Sequence, residues 1–288
     1  MKKLSRLILF FLYILFHHNI YGQSFGIVMP KNINNAATID SGTIRIWYAL
    51  NAVDIKKTET YDDWERLEIG TNFSKYYSYF IFLHDSIVTD MRNKNPNLPN
   101  IPLQPKLTGK RNGWNEYSYS EYIKDFSKNV LTEYLRMPHS GLKDCLYAEN
   151  TSAQSWKVLN DTLTVAGYLC QKATCTFRGR NYTAWFTMDI PIQNGPWKFG
   201  GLPGLILKVY DNDRLYVFEC TKIEKLKNAY PITIFDSKNY VKTDRLKLNE
   251  LIKRMYEDFF NVAGFRVTDS NGTPVAWKKI PYHPLELE

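Results

Sequence analysis

Beyond residue 22 the sequence has no apolar run approaching the 20 or so residues that a membrane-spanning helix needs, so no span is expected in the body of the chain. Histidine is scarce as well. Only His84, His139 and His283 lie beyond residue 22, none in HxH or HExxH spacing, so no metal centre is expected. A GxSxG nucleophile elbow is missing, and Ser140-Gly141 after His139 reads as a turn. No block of basic residues suggests nucleic-acid binding. No cofactor fingerprint and no internal repeat is present. Cysteine is limited to Cys145, Cys170, Cys175 and Cys220, with C-x4-C as the tightest spacing and no His nearby, which argues against a zinc site.

The N-terminus supplies what the body lacks. Lys2, Lys3 and Arg6 precede the apolar run Leu7–Phe16, which ends at His17-His18-Asn19, with Gly22 just beyond. A basic start, about ten apolar residues and a small residue make a cleavable export signal over residues 1–22, and no Cys follows to carry a lipid. Removing those three cations lowers the net charge from +8 to +5, a mild excess for residues 23–288. In an oxidising compartment four cysteines favour two disulfides, with Cys170 and Cys175 each bonded to a distant partner, because their odd separation on one strand would put them on opposite faces.

The body reads as one mainly β domain, residues 23–288. Aromatic residues make up 15% of the chain, a supply that suits pleated surfaces. Thr43–Val53 alternates, with Ile44, Ile46, Tyr48 and Leu50 on one face and Thr43, Arg45 and Trp47 on the other. Residues 64–70 continue as a second strand, while Tyr76–Met91 fits helix or strand. Residues 93–113 hold four Pro and two Gly without periodicity and read as an insertion. Val165–Phe177 with Tyr182–Ile190, and Leu205–Asp211 with Leu215–Ile223, form hairpins, implying an antiparallel meander rather than βαβ units. Leu248, Leu251, Ile252, Met255 and Phe259 recur at helical spacing after Thr243, read as the N-cap. The expected fold is a curved antiparallel sheet of hairpins backed by this helix.

Between the hairpins lies the densest run of special residues, Pro191–Asp211, with Gly195-Pro196 and then Gly200-Gly201-Leu202-Pro203-Gly204-Leu205-Ile206. Such a run either crosses two strands where backbones pack too closely for side chains, or presents backbone N–H groups as an anion nest. Without a following Lys-Ser/Thr it is no P-loop. On Gly201–Ile206, on residues 167–199 upstream and more weakly on residues 67–78, the chain resembles the GLPGLI family of exported proteins, typical of Bacteroidota. The resemblance implies a periplasmic or extracellular location in a Gram-negative envelope, and a possible outer-membrane receptor or other envelope protein as partner. It carries over no catalytic residue, since the family has no established activity.

Three functions are compatible with these residues: a non-enzymatic envelope protein holding a ligand or partner, a hydrolase with an unrecognised carboxylate or His site (His84 or His139 with Asp85 or Asp90), and an outer-membrane assembly factor. Trp185, Trp197 and the stretches Tyr76–Tyr79 and Tyr117–Tyr122 are candidates to line an aromatic groove. Alternatively Trp47 and Trp185 are covered, one face of the sheet by the helix and the other by the insertion. The acid pairs Asp62-Asp63 and Glu257-Asp258 read as solvated.

Overall fold

The computed structural model describes residues 25, 28–97, 114–138, 141–151 and 154–288. The export signal, His139 and most of the Pro-rich insertion lie outside them. Among the described residues twelve strands form one sheet: β1 (Ala37–Leu50), β2 (Asp63–Gly70), β3 (Phe73–Ser78), β4 (Ser120–Asp125), β5 (Val130–Leu135), β6 (Cys145–Asn150), β7 (Lys157–Val165), β8 (Tyr168–Phe177), β9 (Arg180–Thr187), β10 (Leu205–Asp211), β11 (Val217–Ile234) and β12 (Val241–Lys242). Their order is β12-β6-β5-β4-β3-β2-β1-β11-β10-β9-β8-β7, antiparallel throughout except where β12 joins β6. Two meanders, β1–β6 and β7–β11, are thus joined side by side through the long β1–β11 pair.

The sheet curves strongly. Seven strand spacings separate β4 from β8, which at about 4.8 Å each would exceed 30 Å in a flat sheet. Yet Tyr76 and Tyr122 share one buried cluster with Cys170, Tyr182, Phe186 and Ile206. Register slips in β1 at Thr38/Asp40, Gly42/Ile44 and Trp47/Tyr48 allow the bend. The alternation read in β1 holds: Ile46, Tyr48 and Leu50 enter this core, with Ile44 packed against it.

Helix α1 (Tyr79–Lys94) settles the ambiguous segment. The chain leaves β3 at Ser78, whose Oγ caps the helix by accepting the Ile81 N–H at 3.2 Å. Its first residues cover the far face of the sheet, where Tyr79 packs edge-on against Trp47 and Trp64. Trp47 is therefore covered by the start of α1. A single turn, α2 (Glu116–Tyr119), leads into β4. Helix α3 (Arg245–Val262) is capped by Asp244 rather than Thr243, because it is the Asp244 carboxylate that accepts the Lys247 N–H at 2.9 Å. It buries Leu248, Ile252, Met255 and Phe259 against Leu135, Cys145 and Tyr147 in a second core. Among the described residues no helix is long and apolar enough to cross a membrane.

The expected disulfides are absent: all four cysteines are free thiols. Cys145 lies in the helix-backed core, away from the other three in the sheet core. Cys170 and Cys175 enter the same core because the burial phase of β8 slips, with Cys170, Ala173 and Cys175 all buried. Burial raises Cys145 and Cys170 to about 11 and Cys175 and Cys220 to about 12, so these thiols stay protonated and unreactive at neutral pH.

Candidate binding site

The Gly-rich run packs as a strand crossing. A Cβ on Gly204 would stand 2.0 Å from the Thr187 carbonyl oxygen, and one on Gly195 would stand 2.9 Å from Ile206 Cβ. Only glycine permits such an approach. Leu202, Leu205 and Ile206 point into the sheet core, and Tyr48 donates to the Ile206 carbonyl at 2.8 Å. Four N–H groups flanking the run are spent inside the fold: Gly195 donates to Asn194 Oδ1, Gly200 to Gln154 Oε1, Leu205 to the Ile190 carbonyl and Ile206 to the Asn194 carbonyl.

The chemistry sits just upstream, in Trp197-Lys198-Phe199. Trp197 takes φ +51° and, with Phe199, is sealed in the core. It lines no groove. Lys198 between them is also buried and meets Glu286 Oε1 at 2.6 Å, the Tyr147 hydroxyl at 2.5 Å and Glu133 Oε2 at 3.4 Å. Glu133 in turn accepts from Ser120 and Tyr147, both at 2.7 Å. Arg245 reaches Glu286 at 3.0 Å, and Arg178 pairs with Glu149 at 2.8 Å. Burial alone would raise the Glu286 carboxyl, but Lys198, Arg245 and Arg178 outweigh it and hold it below the usual range.

Glu286 is the inner wall of a groove of about 620 Å³ between α3 and residues 279–288. Leu246 and Leu287 stand exposed on its rim, where Lys253 and Lys279 alternate with Glu250 and Glu257. A volume in the small-ligand range with both charges interleaved can seat an uncharged or mixed-charge partner. On the α1 side a second cleft is far tighter, at about 20 Å³, room for one water molecule. Its wall carries the bidentate Arg136–Asp85 pair at 2.6 and 3.2 Å and the Lys75–Glu121 pair at 2.9 Å.

Lys124 stands apart. Fully buried, it donates to Asn194 Oδ1 at 2.8 Å and to the Phe199 carbonyl at 2.6 Å, and among the described residues no carboxylate lies within ion-pair reach. Burial lowers its ammonium to about 7. Burial also pushes up three acids: Asp63 to about 6, Glu116 to about 7, and Glu65 well above its ordinary value. Asp63 is thus no solvated pair member, since β2 starts there and it accepts from Ser78 at 2.8 Å. Glu257 and Asp258 are exposed, as their sequence suggests.

The other expected site residues do not converge. His84 is buried in α1 beside Asp85, which is committed to Arg136. Asp90 is tied to Lys94 on the exposed face. His283 is exposed, and its carbonyl accepts from Tyr216. Among the described residues no three His, Cys, Asp or Glu side chains gather as a metal site would require. Of the Tyr-rich stretches, Tyr76, Tyr117 and Tyr122 are buried in the sheet core and Tyr77 and Tyr119 line the narrow cleft beside α1, whereas Trp185 is half-exposed beside Lys172.

Residues 122–250 match the family model described as "N-glycanase peptide, N-terminal domain". The chain is similar there to an N-glycanase domain. That stretch contains the Gly-rich run, Lys124 and Lys198. Two solved structures of PNGF-II, in space groups P21 and C2, are similar at 16% identity, with TM-scores of 0.45 and 0.44. The match covers 74% of this chain but 33% and 32% of those, so the chain spans about a third of their length. None of the curated proteins matches it.

Proposed function

We propose that this chain is an exported, non-enzymatic binding protein of a Gram-negative envelope, a GLPGLI-type protein whose partner seats in the groove along α3. The groove itself carries the reading: it is open and of ligand-binding size, and its floor is a charge cluster in which every member is paired. Paired charges recognise and orient, and they leave no free acid or base for turnover. The acids that hold protons near neutrality, Asp63, Glu65 and Glu116, line neither this groove nor the α1 cleft.

The test is retention of partners from the native envelope by the full chain and by a Leu246→Glu/Lys253→Glu groove variant, with mass spectrometry of retained proteins and small molecules. A partner held by the first and lost by the second supports the reading. Retention of nothing by either, or of the same set by both, sinks it. A hydrolase reading draws on the raised Glu116, and it would require substrate cleavage that Glu116→Gln abolishes.

A further inference from the structure

Residues 283–287 contact the body as a bound peptide would. They have no regular secondary structure, and their carbonyls are read by side chains rather than by a neighbouring strand. Arg180 donates from Nε and Nη2 to the Pro284 carbonyl at 3.1 and 2.6 Å, while its Nη1 is steadied by Asp211 at 3.1 Å. Tyr182 donates to the Leu285 carbonyl at 3.2 Å, and Tyr216 to that of His283. One backbone bond, from Leu287 N–H to the Arg178 carbonyl at 2.9 Å, sets the register. Leu285 fills a hole in the sheet core, and Glu286 enters the Lys198–Arg245–Arg178 cluster. The β8–β9 turn is shaped to admit the segment, since a Cβ on Gly179 would stand 2.8 Å from Leu287 Cβ.

The charge balance is specific. Arg178, Arg180, Lys198 and Arg245 bring four cations, and the body answers with Glu133, Glu149 and Asp211. One carboxylate is missing, and Glu286 supplies it. The site thus requires an apolar residue followed by an acid in an extended chain with two readable carbonyls upstream.

We propose that this is a peptide-binding site for an extended Leu-Glu-type acidic segment of a partner, held closed in the isolated chain by its own residues 283–287. The proposal deepens the binding-protein reading and rests on it. It names the partner's chemistry, and it adds that the partner displaces residues 283–287, of which Pro284, Glu286 and Leu287 line one wall of the α3 groove.

The test uses the full chain carrying Leu285→Ala/Glu286→Ala and a fluorescently labelled peptide of the sequence of residues 281–288, followed by anisotropy. The substituted chain should bind saturably, and at least tenfold more tightly than the unsubstituted chain, whose site is filled. A peptide with Gln for the Glu286 equivalent should lose at least tenfold. A folded variant that ignores the peptide, or binds both peptides alike, overturns the proposal. Hydrogen exchange on the unsubstituted chain decides the matter even if the variant fails to fold. The Leu287 amide should exchange at least 100-fold faster than core sheet amides such as Val209, because the segment opens locally. Equal rates would make it an inseparable part of the core and refute the idea. Sedimentation of the unsubstituted chain should show a monomer; a dimer that the peptide disperses would assign the segment to a second copy and overturn a separate protein as the partner. Envelope partners retained by a chain that fails the peptide test would leave the broader reading standing and remove this one.

Discussion

Lys124→Met tests how the interior treats an unpaired cation. With the ammonium lowered to about 7, the folded chain holds a neutral amine above that pH while the unfolded chain keeps a charged one up to its ordinary 10.5. Between those values the unfolded state binds the extra proton, so stability rises with pH through this window and is flat below about 7. From pH 6 to pH 9.5 the lysine should contribute about 2.5 pH units of linkage, or roughly 3 kcal/mol at about 1.36 kcal/mol per unit. Methionine keeps the stem but orphans the Phe199 carbonyl, a loss of about 1–3 kcal/mol that does not depend on pH, while Asn194 Oδ1 keeps the Gly195 N–H. At pH 6 that loss is partly offset by relief of a buried charge, while at pH 9.5 nothing offsets it. Urea unfolding of both chains at the two pH values gives the difference of differences, in which titration of exposed lysines and tyrosines cancels. Methionine should be worse at pH 9.5 than at pH 6 by about 3 kcal/mol. A penalty equal within about 1 kcal/mol at both pH values would refute the reasoning.

Lys198→Met should cost about 3 kcal/mol, the lower end for breaking a buried ion pair, because Glu286 retains Arg245 and Glu133 retains two hydroxyl donors. A double-mutant cycle with Glu286→Gln should show coupling above about 1 kcal/mol, and strict additivity would deny the contact. The lowered Glu286 carboxyl adds stability above its unfolded value that fades as pH falls through its folded value, so acid unfolding of Glu286→Gln should lack that component. Gly204→Val should yield no folded chain, since Thr187 O occupies the place of the new Cβ, whereas Gly201→Ala, open but at φ +80°, should fold with a loss of about 1 kcal/mol. Thiol titration without reductant should find none reactive in the native chain and four after unfolding; none after unfolding would restore the two expected disulfides.

Much of the sheet was legible locally. Period-two alternation in β1 and β9, turn residues between β10 and β11, and helical spacing in α3 each depend on neighbours a few residues away. Tyr76–Met91 resisted because it joins a strand to a helix without a break, and the Ser78 cap becomes evident only once the N–H it receives is known. The cysteines misled because their number and expected compartment say nothing about which core each occupies. Asp63 looked solvated beside Asp62 because local polarity does not report that β2 turns it inward.

The amino-acid order by itself determined most of the strands and helix α3, since hydrophobic period acts within a turn or a strand, and it narrowed the glycine run to a crossing or a nest. The candidate site is another matter. Lys198 meets Glu133 and Glu286 across 65 and 88 residues of chain, and Lys124 meets Phe199 across 75. Only the curl of the sheet brings them together, and only burial in that curl decides which charge must be answered and which proton is lost.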